Sequence, residues 1–206
     1  MAEWWKKNNK TPLMDLKFLE IIDFYLFNCP CETERGSSKK GTKEYVKVSK
    51  RANTLRSRGW TGGYLNTLLA SMKHTASSHL EYHTFDSKTD IQAEVSKIEK
   101  HSTLSDKHFE LIAMAERSDM NKTSAIYYYI RNAFAHGSFS VIKDKSTTIY
   151  YLESAKDDTI KAQIRLREET LLKWIKDFAL SPQMLKSALA DDRKLRQLKK
   201  KGGAAA

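Results

Sequence analysis

The sequence predicts a mainly helical bundle with a small β-hairpin inserted after one of its central helices. Apolar residues recur at helical spacing along most of the 206-residue chain, and the chain contains only eight glycines and three prolines. The period changes to strict alternation in residues 139–152 and 159–166, where Thr, Ile, Tyr and Val are enriched. We expect one domain over residues 1–201, and we interpret residues 202–206, Gly-Gly-Ala-Ala-Ala, as an artificial tail.

Eight helices are predicted around this hairpin from their caps and apolar spacing. Thr11-Pro12 is typical of a helix start, and Gly137 of a helix end. The predicted helices are a helix from Thr11 to the residue before Pro30, Thr42–Arg58, Tyr64–His83, a helix through Ile91, Val95 and Ile98, a helix capped at Ser105-Asp106 through Phe109 and Met114, Thr123–His136, Glu168–Leu180, and a basic C-terminal helix over residues 182–201. The hairpin is predicted over about residues 139–167.

Composition excludes several classes of protein. A hydrophobic content of 40%, with eight Phe, nine Tyr and four Trp, is enough for a packed core. No apolar run approaches the roughly 18 residues of a membrane span, so no membrane partner is expected. The start, Met1-Ala-Glu-Trp-Trp, does not resemble a secretory signal, and Cys29 and Cys31 lie too close for an ordinary disulfide. We expect a cytoplasmic protein.

Positive charge is concentrated in two segments of a chain whose net charge is +11. Between Arg35 and Trp60 the only acidic residue is Glu44, and a second basic cluster runs from Arg193 to Lys201. Concentrated positive charge attracts a polyanion through counterion release, although a lysine run is also an ordinary solvated surface. The residues that we predict to contact RNA are Lys39, Lys40, Lys43, Lys47, Lys50, Arg51, Arg56 and Arg58.

The candidate catalytic residues lie in the segment Arg131-Asn-Ala-Phe-Ala-His-Gly137, at the end of a predicted helix. Arg131 and His136 lie five residues apart, which places them about 140° apart on a straight helix. Where the helix ends at Gly137, both side chains could turn toward one ligand or flank a seam facing a second subunit. An arginine can stabilise a phosphate and a histidine can transfer a proton near neutral pH. Asn132 could orient either one.

This segment resembles the Arg-x(4–6)-His motif of HEPN domains, and a polar residue directly after the arginine, here Asn132, is typical of their ribonuclease members. The hairpin followed by Leu166-Arg-Glu-Glu-Thr-Leu-Leu-Lys-Trp-Ile175 also resembles bacterial stand-alone members of the family. Ser138 stands where some HEPN toxins carry a tyrosine that a partner enzyme modifies.

The resemblance implies a metal-independent endoribonuclease without a cofactor. Arg131 and His136 would be catalytic and Asn132 would support them. The ribose 2′-hydroxyl would attack the adjacent phosphate of single-stranded or loop RNA and leave a 2′,3′-cyclic phosphate. Two motifs would meet across a homodimer, in a toxin or phage-defence setting with an antitoxin or sensor protein as a further partner.

Other interpretations remain open. The same motif is compatible with a non-catalytic HEPN-like module that binds RNA or a protein, and the basic segment with a protein that binds duplex DNA. Tyr127, Tyr128 and Tyr129 are interpreted as core and dimer-seam residues, with base stacking as the alternative. His79 and His83 have a spacing that can chelate a metal, but too few ligands surround them, so no metal site is predicted.

Overall fold

A computed structural model describes residues 15–31, 54–75, 80–101, 109–144 and 146–202. Its helices are α1 (Leu16–Ile22), α2 (Gly63–Thr75), α3 (Ile91–His101), α4 (Lys122–Ala135), α5 (Glu168–Ala179) and α6 (Pro182–Gly202). A π-helical turn, Asp23–Phe27, continues α1, and a 3-10 turn, Arg56–Arg58, precedes α2. The strands are β1 (Leu80–Phe85), β2 (Glu110–Ala115), β3 (Phe139–Asp144), β4 (Thr147–Lys156) and β5 (Thr159–Arg167).

The predicted helical bundle is wrong, because the centre of the protein is a five-stranded mixed sheet with strand order β1-β2-β5-β4-β3. β1 and β2 are parallel, and α3 connects them. The three C-terminal strands form an antiparallel meander, in which β5 returns to pair with β2. The predicted hairpin is therefore three strands of a five-stranded sheet rather than an insertion into a bundle.

Two segments predicted as helix are strands. Residues 80–83, predicted as the end of the helix Tyr64–His83, lie in β1. Residues 110–115, predicted within the helix capped at Ser105-Asp106, form β2. All six residues of β2 are buried. A strand buried on both faces shows no alternation of apolar and polar residues. The sequence of β2, Glu-Leu-Ile-Ala-Met-Ala, is also rich in residues that favour helices. Neither periodicity nor propensity therefore distinguishes a strand from a helix at this position.

The meander follows the alternating pattern of its sequence. Asp157 and Asp158 connect β4 to β5 with φ angles of +50° and +59°. Short polar residues tolerate this left-handed conformation, which matches the twist of a two-residue hairpin turn. The register then pairs Tyr151 with Arg165 and Glu153 with Gln163.

Apolar clusters lie on both faces of the sheet. On one face Ile112, Tyr150 and Ile164 belong to the main core together with residues of α1, α2, α4 and α5. On the other face Leu111 and Ala113 meet Ile91 and Val95 of α3. The spacing of Ile91, Val95 and Ile98 predicts α3 correctly, since Ile91 and Val95 are the buried residues of that helix. No helix within the described ranges is both long and apolar enough to cross a bilayer.

The described part of the N-terminal helix begins at Leu16, whereas the sequence predicts a start at Thr11. Asp15 caps α1, since its side chain accepts a hydrogen bond of 2.9 Å from the amide of Lys17. The predicted cap at Thr11-Pro12 lies outside the described residues. Phe18, Ile21 and Tyr25 are buried, whereas Leu16 is 81% exposed.

Candidate active site at the end of α4

The end of α4 is a helix cap that positions His136. The amide of Ser138 donates to the carbonyl of Ala133 (2.9 Å) and the amide of Gly137 to that of Phe134 (3.2 Å). Together with a φ of +64° at Gly137, these two bonds define a Schellman motif with His136 as the C-cap residue. Glycine is needed because other residues pay a steric cost in the left-handed region. The sequence predicts this helix end correctly to within one residue.

Aromatic rings fix the chain on both sides of His136. Phe134 and Phe139 meet edge to face with 5.0 Å between ring centroids, and Phe18 of α1 lies 6.3 Å from Phe139. Both Phe134 and Phe18 are buried. His136 itself is exposed. The histidine therefore stands on a rigid corner between α4 and β3 and is open to a ligand from solvent.

Arg131 and Asn132 lie one turn before this corner, and both are half-buried. Nη1 of Arg131 donates a hydrogen bond of 3.4 Å to Oδ1 of Asn132. Nε of Arg131 is buried and has no hydrogen-bond partner among the described residues. Because the residue is only half-buried, the accessible part of its guanidinium can bind an anion, whereas the buried Nε cannot be reached from solvent.

Within one chain the predicted catalytic residues Arg131 and His136 do not form a hydrogen-bonded pair. No hydrogen bond joins Arg131 to His136, although both residues are described. Their separation of about 140° around the helix axis accounts for this, because the helix continues through Arg131 to Ala135. The structure brings Arg131 and Asn132 together and leaves His136 one turn further along the same exposed end.

The three tyrosines of α4 have different environments. Tyr127 and Tyr129 are buried, and the hydroxyl of Tyr129 donates to the carbonyl of Ala115 (3.0 Å). Burial raises the pKa of both, that of Tyr129 to about 12. Tyr128 is half-buried, and the guanidinium of Arg117 lies 4.3 Å from its ring centroid. Two of the three are thus core residues, as the sequence suggests.

Most of the predicted RNA-contacting residues lie outside the described part of the chain: Lys39, Lys40, Lys43, Lys47, Lys50 and Arg51. The helix predicted over Thr42–Arg58 is described only from residue 54, where it is a 3-10 turn instead. Arg56 and Arg58 lie on that turn and are exposed. The guanidinium of Arg58 is 5.2 Å from the ring centroid of Phe178.

Only His83 of the histidine pair considered as a metal site is described, and it is not on a helix. His83 lies on β1, where its Nε2 is 3.1 Å from Oε2 of Glu81, and His79 lies outside the described residues. Within the described ranges, no group of three or more His, Cys, Asp or Glu residues could hold a metal ion.

A feature that sequence reasoning missed lies at the other end of α4. A cavity opens where β1 and β2 end and α4 begins, and Glu116, Lys122 and Thr84 are among its lining residues. The signal that could have found it is Asn121, which caps α4 by accepting a hydrogen bond of 2.9 Å from the amide of Ser124. Because β2 was predicted as a helix, the strand–loop–helix unit that creates the cavity was not recognised.

Comparison with known proteins finds no match to a family model, to a curated protein or to a solved structure. The functional argument therefore rests on the chemistry of the residues themselves.

Proposed function

We propose that this protein is a metal-independent endoribonuclease whose active site is formed by Arg131, Asn132 and His136. The observation that carries the proposal is the placement of an exposed histidine on a helix cap, about one turn after a half-buried arginine whose guanidinium is held by Asn132. The proposal takes its chemistry from the motif of residues 131–137, and it does not require the helical bundle that the sequence predicted.

The reaction needs one proton acceptor and one cation beside the phosphate. His136 removes the proton of a ribose 2′-hydroxyl, and the 2′-oxygen then forms a bond to the neighbouring phosphorus. Arg131 stabilises the negative charge that develops on the non-bridging oxygens. The bond from phosphorus to the 5′-oxygen breaks, and that oxygen leaves as a hydroxyl after taking a proton from water. Asn132 holds one side of the guanidinium through the 3.4 Å hydrogen bond to Nη1.

A homodimer belongs to this proposal, because Arg131 and His136 diverge on one helix and two copies would supply both groups to one phosphate. An exposed apolar surface lies on α1 and its π-helical extension. Leu16, Leu19 and Phe27 are 81%, 49% and 66% exposed, whereas Phe18 of the same helix is buried. Exposed apolar side chains of this size are typical of contact surfaces.

RNA is the substrate of the proposal because DNA lacks the attacking hydroxyl. The basic segment between residues 35 and 60 would guide the strand electrostatically, and exposed Arg56 and Arg58 are its described members. We place the protein in the cytoplasm, where thiols such as those of buried Cys29 and Cys31 persist. A toxin or phage-defence role, with an antitoxin or sensor partner, is the setting that the motif suggests.

The test is cleavage of a labelled single-stranded RNA by the purified chain in excess EDTA, with a DNA strand of the same sequence as control. We expect cleavage of RNA only, with 2′,3′-cyclic phosphate and 5′-hydroxyl ends. His136→Ala should abolish cleavage and leave RNA affinity unchanged, whereas Lys100→Ala, on exposed α3, should retain both.

Three outcomes would contradict the proposed ribonuclease. Cleavage that persists in both Arg131→Ala and His136→Ala would show that these residues do not carry the reaction. Salt-dependent RNA binding without any cleavage would favour the non-catalytic binding module, and a preference for duplex DNA would favour a DNA-binding protein. Sedimentation of the wild type, and of Leu16→Asp/Phe27→Asp, tests the dimer separately from the chemistry.

A further inference from the structure

A cavity of about 400 Å³ lies at the N-terminal end of α4, away from the candidate active site. Helix α4 has 14 residues, so about 21 Å of helix separates the two ends. Its apolar lining residues include Leu69, Met114 and Met120, and its polar lining residues include Asn66, Glu116 and Lys122. The volume and the mixture of surfaces are typical of a small-molecule site.

The cavity occupies a particular place in the sheet. It lies beyond the carboxyl ends of β1 and β2, the parallel pair of strands, whose last partners are Phe85 and Ala115. The backbone continues this pairing by one hydrogen bond, from the amide of Glu116 to the carbonyl of Phe85 (2.7 Å). In α/β sheets, ligands bind in the crevice outside the carboxyl ends of parallel strands.

Glu116 is the first residue after β2, and its carboxylate is held in one orientation. Oε1 accepts a hydrogen bond of 3.0 Å from the hydroxyl of Thr84 and lies 3.2 Å from Nζ of Lys122. These contacts lower the pKa of Glu116, with the Thr84 hydrogen bond as the largest cause. Both contacts use the same oxygen. Oε2 therefore has no hydrogen-bond partner within the described ranges, and it can accept hydrogen bonds from a ligand.

The cations of the lining are already engaged. Lys122 is bound to Glu116, and Arg117 makes two hydrogen bonds to Asp119, of 2.6 and 2.9 Å. A phosphorylated ligand would have to break these pairs to gain a cation. The cavity therefore suits an uncharged ligand. Hydroxyl groups of the ligand would donate hydrogen bonds to the carboxylate of Glu116, and a flat apolar group would pack against the leucine and methionine side chains of the lining.

We propose that this cavity binds a ribonucleoside, with the vicinal ribose hydroxyls donating to Glu116 and the base lying between the side chains of Leu69, Met114 and Met120. A carboxylate at the end of a strand is a suitable acceptor for a ribose 2′-hydroxyl. Asn66, exposed at the mouth of the cavity, offers both a donor and an acceptor to the edge of the base. This inference rests on the cavity and is independent of the proposed ribonuclease activity.

The test is titration calorimetry of the full chain with adenosine, guanosine, cytidine and uridine, their 2′-deoxy forms and their 5′-monophosphates. We expect at least one ribonucleoside to bind, its 2′-deoxy form to bind about tenfold more weakly, and its monophosphate to bind no more tightly. Glu116→Gln should remove the difference between the ribose and deoxyribose forms. Asn66→Trp, which blocks the mouth from an exposed position, should abolish binding, and Lys100→Trp on exposed α3 should not.

Separate controls keep this proposal distinct from the ribonuclease. The variant Arg131→Ala/His136→Ala should bind the nucleoside like the wild type even though it would no longer cleave RNA. Thermal unfolding of each variant checks that it folds. If Glu116→Gln does not fold, the loss of nucleoside binding in Asn66→Trp tests the proposal instead. The proposal is overturned if no ribonucleoside binds at millimolar concentration, if the deoxy form binds equally well, or if binding persists in Asn66→Trp or is lost in Arg131→Ala/His136→Ala.

Discussion

Nη1 of Arg131 donates a hydrogen bond of 3.4 Å to Oδ1 of Asn132, the residue that follows it along α4. Neighbours on a helix point about 100° apart, so this contact requires the long arginine side chain to lie across the helix surface toward the shorter amide. This hydrogen bond limits the rotamers that the half-buried guanidinium can adopt at this end of α4.

Asn132→Ala should lower the cleavage rate while leaving RNA affinity intact. Removing the amide frees the guanidinium to adopt other rotamers, so the arginine reaches the transition state less often, and we expect about a tenfold loss in kcat. Single-turnover cleavage and RNA binding measured on the same preparation check this split. An equal loss of affinity would instead place Asn132 in substrate binding, and Asn28→Ala, an exposed asparagine on another element, serves as the control.

Gly137→Ala and Gly63→Ala should change stability in opposite directions. Neither glycine has an atom within 4 Å of an added Cβ, so the two substitutions differ in backbone conformation alone. At Gly137, where φ is +64°, alanine should destabilise the fold by about 1 kcal/mol. At Gly63, in the first turn of α2, alanine should stabilise by about 0.5 kcal/mol. Urea unfolding of both variants measures the difference, and equal effects would refute the role of the helix cap.

Tyr129→Phe and Tyr82→Phe should also differ, because their hydroxyls have different partners. The hydroxyl of Tyr129 bonds the carbonyl of Ala115, so its removal should cost about 1 kcal/mol. The hydroxyl of Tyr82 is buried and has no partner among the described residues, so phenylalanine there should be neutral or stabilising. Chemical unfolding near neutral pH distinguishes the two, and a larger loss at Tyr82 would contradict the hydrogen bonding described.

Stability should decrease at alkaline pH. Burial raises the pKa of Tyr82 and Tyr129 from 10 to about 12. Folding thus favours the neutral phenols, and this contribution is fully present below about pH 10 and is lost as the pH rises through about 12. Urea midpoints measured across this range should fall less steeply for Tyr82→Phe than for the wild type. An unchanged slope in that variant would mean that other groups cause the alkaline loss.

Ser71 and Asp177 should be energetically coupled. Asp177 is fully buried, accepts a hydrogen bond of 2.7 Å from the Ser71 hydroxyl and is paired with Lys173. Ser71→Ala should cost about 1 kcal/mol and Asp177→Ala about 3 kcal/mol, because the second leaves two polar groups without their acceptor. The double variant should cost less than the sum of the two. Ser96→Ala, on the exposed side of α3, is the matched control and should change stability little, whereas simple additivity would refute the coupling.

The motif helix shows how much could be predicted from local sequence. The end of α4 depends on Gly137 and on bonds between residues at most five positions apart, so the sequence indicates it directly. The same holds for α3, which has one buried face, and for the alternating strands of the meander. Arg131 and His136 could likewise be singled out as candidates, although whether they catalyse a reaction stays a prediction.

The sequence by itself determined the local elements, namely the cap at Gly137, the amphipathic α3, the alternating β3–β5 and the concentration of basic residues. Only the tertiary structure decided that residues 80–85 and 110–115 are strands, that β5 returns to pair with β2, and that Glu116 faces a cavity. For β2 the physical reason is that a doubly buried strand has no alternating pattern to mark it. Its conformation is set by hydrogen bonds to β1 and β5, whose residues lie about 30 and 50 positions away in the chain.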